Sequence, residues 1–554
     1  MFKRVFSGGI SGVEAYLVEV EVDMSDGLPC FDMVGTLTQE VREARERVKT
    51  ALKNLGFSLP PKRITVNLSP ANVRKEGCGY DLPIAVAVLA VMGMIPDGEL
   101  ERTVLVGELS LDGTVRPVRG SLSLADLIRS KGFSRIIVAE ENREEAATID
   151  NIQAVGVCDL MEVIRWLNYP NEMEREAEQR RRELGRGAGE LVLGEEPENE
   201  EESRRERGNS TPDFSEVRGQ TVVRRAAEVA AAGMHNLLLI GPPGSGKTMI
   251  ARRIPGILPG LTREEQIEIT KLHSICGQLP PGQALVSERP FRAPHHTVPP
   301  TALIGGGRTP KPGEISLAHG GVLFLDELPE FNRYTLEALR QPLEEGRVIV
   351  SRLQASWTFP ADMMMVAAMN PCPCGYYPDR NTCHCGEREI QRYLSHISRP
   401  ILDRMDICVE TPRMSYEELN GSLGEHRWSS GKETGRKESR SESSAEIRQR
   451  VERARTMQQE RFAGTDIRFN SRIPASRINE FCRLGEKEEG MMRRIFEQMH
   501  LSARGYHRVL RVARTIADLA GERNIGLVHL GEAVCYRGVE EKFWGGRHSY
   551  GDKM

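Results

Sequence analysis

Gly241-Pro242-Pro243-Gly244-Ser245-Gly246-Lys247-Thr248 decides how this 554-residue chain is read. The apolar run Leu237-Leu238-Leu239-Ile240 before it has the length of a buried strand, and Met249-Ile250-Ala251-Arg252-Arg253 after it can continue as a helix. Strand, glycine loop and helix in that order make a phosphate cradle, because successive backbone N–H groups and the helix N-terminus face the anion. Lys247 then pairs with the β- and γ-phosphates, and the Thr248 hydroxyl serves Mg²⁺. Downstream, Gly321-Val322-Leu323-Phe324-Leu325-Asp326-Glu327 reads as a second buried strand ending in two carboxylates. Asp326 suits the water shell of Mg²⁺, and Glu327 suits the general base that polarises an attacking water. Together the two motifs imply that ATP or GTP is bound and hydrolysed.

Working outward, Met363–Met369 is a third apolar strand, and it ends in Asn370. An amide there can orient the hydrolytic water. Ser398–Asp406 offers Arg399 and Arg404. An arginine donated across a subunit boundary stabilises charge on the transferring phosphoryl group. Arg404, inside Leu402-Asp403-Arg404-Met405-Asp406, is the candidate, and a structural salt bridge is the alternative.

The chain is too long for one core and implies about three or four domains. Residues 1–168 alternate strand-like and helical runs, as one α/β domain does. Residues 169–212 are dense in Glu and Arg and read as a charged linker. The nucleotide motifs fall in a core spanning 213–412, with a cysteine-rich insertion at 371–386. A helical region, 413–554, follows and carries a Ser/Gly/Lys/Glu-rich flexible insertion at 420–445. The net charge of −4 predicts no global attraction to nucleic acid, so any such contact must be local. Leu82–Ile95, the longest apolar stretch, is short for a membrane span and contains Pro83 and Gly93. Eleven cysteines, most of them scattered, suit a reducing compartment, and a cytoplasmic location without membrane association is expected.

Cys372, Cys374, Cys383 and Cys385 lie in a short segment punctuated by Pro371, Pro373, Pro378 and Gly375. Four thiolates suit tetrahedral Zn²⁺, and a metal would give shape to a loop with no apolar core of its own. The one-residue spacing within each pair is tighter than usual, and His384 is a possible substitute ligand. A reduced, metal-free loop is the alternative.

The order of phosphate loop, Asp-Glu strand, terminal Asn and Leu-Asp-Arg-Met-Asp resembles AAA+ ATPases, in particular their magnesium-chelatase-like branch. Within it the chain is similar to the ComM/YifB subfamily through Asp213–Gln220, Phe291–Thr297, Pro312–His319, Asp326–Phe331 and Met369–Gly375. The resemblance covers nearly the whole chain. It implies a P-loop αβα core with a parallel sheet, a C-terminal helical lid and a homo-oligomeric ring, expected to be a hexamer. It also implies a lid arginine that reaches nucleotide: Arg504 first, Arg508 second. Arg511 and Arg514 read as a solvated basic face. Lys75–Leu89 and Val106–Val118 resemble the proteolytic domain of Lon-type proteases, whose serine and lysine would fall at Gly79 and near Leu122. No peptidase activity is expected, and Cys78 has no visible activating base.

His295–Arg308 interrupts the core, and its glycines and prolines favour a hairpin or loop over a helix. Arg347–Arg352 and Ala355–Phe359 read as a second hairpin. Related ring ATPases direct such insertions into a central pore, where Arg308, Lys311, Arg347 and Arg352 would meet DNA phosphates independently of sequence. The resemblance therefore implies a DNA motor for branch migration or unwinding in recombination and natural transformation. A chelatase-type remodeller that acts on a partner protein for metal insertion is the second reading.

Overall fold

The computed structural model describes residues 1–177, 179, 212–280, 283–307, 310–352, 356–413 and 441–544. Most of the charged linker, insertion residues 420–440 and Arg308 lie outside the described residues. The chain divides into two compact units: Met1–Ser203 with Arg263–Ser287, and Arg204–Thr262 with Glu288–Met554.

The first unit is built on a mixed seven-stranded sheet. Its order is Cys30–Val34, Arg63–Ser69, Glu14–Ser25, Phe2–Ser11, Thr103–Leu105, Arg135–Ala139, Gln153–Val157. Asp81–Val91 is buried along its whole length, which explains an apolar pattern without a polar face: this is a core helix. Its first residue, Asp81, is completely buried and accepts from Arg47 Nε at 2.6 Å, Arg47 Nη2 at 2.9 Å and the Leu109 N–H at 3.3 Å. No described helix is long and apolar enough to cross a membrane.

One element departs from the sequence reading of 213–412 as a single core. The helix Arg263–Cys276, encoded between the two nucleotide motifs, packs in the first unit. Lys271 pairs with Asp126 at 2.5 Å, Arg263 Nη2 donates to the Thr148 carbonyl at 2.7 Å, and the Gly120 N–H donates to Ser274 Oγ at 2.8 Å. Ile267 and Leu285 close over a cluster that includes Leu122, Ala125 and Ile128. Motif spacing follows chemistry along the chain and carries no record of which core a helix face completes.

The second unit holds a five-stranded sheet in the order Phe291–Arg292, Val322–Leu325, Met364–Met369, Leu237–Ile240, Ile407–Glu410, parallel throughout. The three apolar strands read from sequence occupy its middle, and nearly every side chain in them is buried, as a sheet covered on both faces requires. Leu237–Ile240, first in the chain, lies between the last two strands, so the connections change direction beside its carboxyl end. Open parallel sheets bind ligands at such a point. Helices Ser444–Arg461 and Ala503–Leu519 supply the C-terminal helical region. Ser443 and Glu446 cap the first reciprocally, and Ser502 Oγ accepts from the Gly505 N–H to start the second.

Candidate functional site

The phosphate loop takes its shape from glycine. Gly244 and Gly246 have φ of +74° and +81°, and Gly246 leads directly into the helix Lys247–Ile257. At Gly241 a Cβ would lie 2.0 Å from Thr411 Oγ1, so the loop can pass the end of the Ile407–Glu410 strand only as glycine. Lys247 Nζ donates to the Gly241 and Pro242 carbonyls at 2.8 and 2.9 Å and to Asn370 Oδ1 at 3.2 Å. Burial pushes its pKa down, and Asp326 works against that shift. The amine is thus held beside the loop and joined to Asn370, the residue that follows the neighbouring strand.

Thr248 Oγ1 donates to Asp326 Oδ2 at 2.7 Å, so hydroxyl and carboxylate meet at one point. That donor set, all oxygen with one formal charge, fits Mg²⁺ beside phosphates. Glu327 has φ of +51°, rare for a residue with a Cβ, and its N–H donates to Asp326 Oδ1 at 3.0 Å. The turn aims its carboxyl outward, where His296 Nδ1 stands 3.4 Å away. His296 in turn lies against His295 and the edge of Phe331. Beside the loop, a cleft of about 340 Å³ is lined by Glu216, Val217, Gln220, Gly246, Met249 and Ile250 among others. The structure therefore brings Lys247, Thr248, Asp326, Glu327 and Asn370 to the carboxyl ends of adjacent strands.

Arg404 and Arg504 come together elsewhere. Both address Glu344, Arg404 through Nη2 and Arg504 at 3.6 Å, beside a cleft of about 390 Å³. Arg404 also donates to the Pro400 and Arg340 carbonyls at 2.7 and 3.1 Å. Arg399 instead donates to the Trp544 carbonyl at 3.0 Å. Arg508 is 3 % exposed: Nη1 donates to the Leu402 and Met405 carbonyls at 3.0 and 2.5 Å, and Nη2 reaches Asp403 at 3.3 Å, while Nε is buried without a partner. It pins the turn that presents Arg404. The expected solvated basic face is corrected here: Arg514 is buried against Asp518 at 3.0 Å and Arg511 is half-buried, because this side of the helix packs on the core.

The four cysteines converge. Cys372 and Cys374 Sγ are 3.3 Å apart, Cys372 and Cys383 3.8 Å, Cys374 and Cys383 3.6 Å, and all four sulfurs lie within 4.8 Å of one another. Tetrahedral zinc with Zn–S of about 2.3 Å needs sulfurs about 3.8 Å apart, so the set fits a Cys₄ centre. Burial works against ionisation of Cys374. The Tyr376 N–H and the neighbouring thiols nevertheless bring it down to about 6, while burial pushes the Cys383 and Cys385 thiols up.

Two short hairpins stand in the insertions. The first pairs Gly305 with Pro312 and Gly306 with Lys311, and the second runs from Arg347–Ser351 to Ser356–Pro360. The first is preceded by a helical turn, Pro300–Ile304, where the sequence favoured hairpin or loop; Pro300 begins that turn, a position where its missing N–H costs nothing. Arg352 Nη2 donates to the Gly307 carbonyl at 3.3 Å and so links the two hairpins. Lys311 and Arg347 are exposed, and Arg347 pairs with Glu345 at 3.1 Å.

In the first unit, a Cβ at Gly79 would sit 3.2 Å from Val106 and 3.5 Å from Val118, and Leu122 is fully buried. Burial, with Glu108 nearby, pushes the Cys78 thiol up to about 11. An apolar wall therefore stands where a serine–lysine pair would need room and water. Sequence reasoning quoted His296 only within the Phe291–Thr297 stretch and Arg508 only as a second lid candidate; the contact of the one with Glu327 and the pinning part of the other become visible through the strand ends and turns they adjoin.

Comparison with known proteins places these features in a family. Residues 213–419 match the family described as magnesium chelatase, subunit ChlI, residues 20–142 match subunit ChlI of Mg-chelatase, and 441–537 match its C-terminal part. The competence protein ComM of Haemophilus influenzae is 41% identical over 97% of both chains. YifB of Escherichia coli is 40% identical over 96% of both. A weaker likeness, 23% identity over 30% of this chain and 34% of the relative, links it to Lon protease 2 of Bacillus subtilis. With a parallel-sheet core, a helical C-terminal region and this identity along nearly its whole length, the chain belongs to the ComM/YifB subfamily of magnesium-chelatase-like AAA+ ATPases.

Proposed function

We propose that the protein is the subunit of a homo-oligomeric ring, a hexamer, that hydrolyses ATP to move on branched or single-stranded DNA. Branch migration or unwinding during recombination and natural transformation is the activity this reading assigns. The observation that carries it is the convergence of Lys247, Thr248, Asp326, Glu327 and Asn370 beside His296, in the insertion that leads to the first of two linked hairpins. The name of the Haemophilus influenzae relative, a competence protein, supports uptake and recombination of DNA as the setting.

In this mechanism Thr248 and Asp326 would hold Mg²⁺, which would neutralise charge at the phosphates. Lys247 exchanges its carbonyl partners for β- and γ-phosphate oxygens. Glu327 accepts the proton of the attacking water, and Asn370 orients that water. The cleft by Val217 and Met249 receives the base. Arg404, with Arg504 beside it, faces the nucleotide of an adjoining subunit, and Arg508 keeps Arg404 in place. Lys311, Arg347 and Arg352, with Arg308 close to Lys311 in sequence, grip phosphates through charge. Cys372, Cys374, Cys383 and Cys385 hold a structural Zn²⁺. The first unit acts in assembly or DNA contact, not proteolysis.

A synthetic four-way DNA junction tests the reading. The expected result is ATP-dependent strand exchange by the wild type that Lys247→Ala and Glu327→Gln abolish. Junction movement surviving either substitution refutes it. The second reading, an ATPase that remodels a partner for metal insertion, draws on the family's magnesium chelatase description. An ATPase rate indifferent to DNA at low salt would favour it.

A further inference from the structure

The cysteine loop and the phosphate loop meet at two places, and the ligand pair Cys372 and Cys374 lies between them. At one end, Asn370 Oδ1 accepts from Lys247 Nζ at 3.2 Å. At the other, Gly375, with φ of +88°, lies so close to Pro243 that an added Cβ would stand 2.4 Å from Pro243 Cδ and 2.9 Å from Cγ. The Gly375 N–H donates to the Cys372 carbonyl at 3.0 Å, closing the turn that carries both sulfurs. Cys372 is fully buried, and the Tyr377 N–H donates to its sulfur at 3.4 Å. A cleft of about 430 Å³ borders this junction, lined by Gly241, Pro242, Gly375, Tyr376 and Tyr377 among others.

The loop is rich in proline and has no apolar core of its own. Its internal hydrogen bonds are short-range ones, such as the Cys383 N–H to the Asp379 carbonyl at 2.7 Å and Arg380 Nη1 to the Cys385 carbonyl at 3.1 Å. Its two halves meet where the four sulfurs converge, beside the stack of Arg380 on Tyr377 and the contact of Tyr377 with Phe543, and a metal on the sulfurs would tie the halves together. Pro243 is the third residue of the phosphate loop, whose backbone N–H groups must point at one place before any anion arrives. A rigid neighbour on its outer side removes conformations the empty loop would otherwise sample. Pre-organisation of that kind raises affinity by lowering the ordering cost of binding.

We infer that the tetrathiolate loop is a buttress of the nucleotide site: zinc in the cluster fixes Gly375 against Pro243, making Gly375 a positioning residue for phosphate binding. The inference rests on the reading of the cluster as a zinc site and of the loop as an ATP site. Because coupling between two binding events is reciprocal, nucleotide must tighten zinc by the same factor that zinc tightens nucleotide.

The test uses the full chain, with Zn²⁺ and a non-hydrolysable ATP analogue as probes. Zinc content is measured first. Analogue affinity is then compared between zinc-loaded protein and protein stripped by a chelator, with circular dichroism monitoring the fold. The expected result is about tenfold weaker binding after stripping, and loss of zinc to the chelator slowed by saturating analogue. Gly375→Ala should retain zinc yet bind the analogue about tenfold more weakly, with the change in KM for ATP exceeding that in kcat. Gly386→Ala, next to Cys385 but with nothing within 4 Å of an added Cβ, should leave affinity within about twofold of wild type. A protein that holds no zinc removes the metal reading and this inference with it. Zinc-loaded protein that binds no analogue removes the ATP reading. Stoichiometric zinc with equal affinity before and after stripping, or a Gly375→Ala protein with wild-type affinity, overturns the inference alone.

Discussion

Arg508→Met and Arg404→Ala should fail in opposite ways, although the two side chains serve the same turn. Arg508 is buried and supplies the donors for the Leu402 and Met405 carbonyls and the Asp403 carboxylate. Methionine keeps most of the volume and removes every donor, leaving the Met405 carbonyl and part of a carboxylate unpartnered, while the Leu402 carbonyl keeps the Met405 N–H at 3.0 Å. Each orphaned polar group costs about 1–3 kcal/mol, partly recovered by water at Asp403, so the turn should loosen by about 2 kcal/mol. That is a roughly 30-fold increase in local opening. Hydrogen exchange followed by mass spectrometry reads it directly, as faster exchange in peptides covering 401–410 and 503–519. Arg404 faces Glu344, which is 56% exposed, and also donates to the Pro400 and Arg340 carbonyls, so its loss should cost stability about 1–2 kcal/mol. Turnover of assembled protein should nevertheless fall by about 10³-fold or more if Arg404 acts on a neighbouring nucleotide. Unchanged exchange in Arg508→Met refutes the pinning role. An Arg404→Ala protein with wild-type turnover at saturating protein and ATP refutes the assignment of Arg404.

The other expectations are shorter. His296→Ala removes the histidine that stands 3.4 Å from the Glu327 carboxyl, and kcat for ATP should fall about 10–100-fold with little change in KM, measured by phosphate release. Equal kcat would show that Glu327 positions itself. Replacing Lys311 and Arg352 by alanine should lower the slope of log affinity against log salt for single-stranded DNA by about 0.7 for each phosphate left without its cation, measured by fluorescence anisotropy. An unchanged slope places DNA elsewhere. Because the Cys78 thiol is pushed up to about 11, its alkylation rate should keep rising with pH to near that value, unlike that of an ordinary surface thiol. Rapid labelling at pH 7 would contradict the buried environment described for it.

Legibility differed by kind of residue. The three central strands and the phosphate loop could be read because full burial writes an uninterrupted apolar run and phosphate chemistry demands glycine, lysine and a hydroxyl at set spacing. Asp326 and Glu327 followed for the same reason. The cysteine quartet was visible as composition, and its sulfurs do converge. What could not be read was packing between distant segments. The basic stretch Arg504–Arg514 has one periodicity whether its far side meets water or Asp518, and only the fold decides that Arg508 and Arg514 are buried. Likewise His296 belongs to no spacing rule. It reaches Glu327 because the Phe291–Arg292 strand runs beside Val322–Leu325. The helix Arg263–Cys276 lies between two nucleotide motifs in the chain, and nothing in its composition names the unit it joins.

That helix has a consequence for how the chain is made. The first unit is discontinuous: the part of the Leu122–Ile128 cluster that Ile267 and Leu285 cover stays open until those residues have left the ribosome. At translation rates of roughly 5–20 residues per second, the nascent amino-terminal part waits about 8–30 s with an apolar face open. During that wait the phosphate loop itself is synthesised, so the start of the second unit emerges before the first can close. Maturation of the two units is interleaved in time, and a chaperone that shields apolar surface would find its target in that interval.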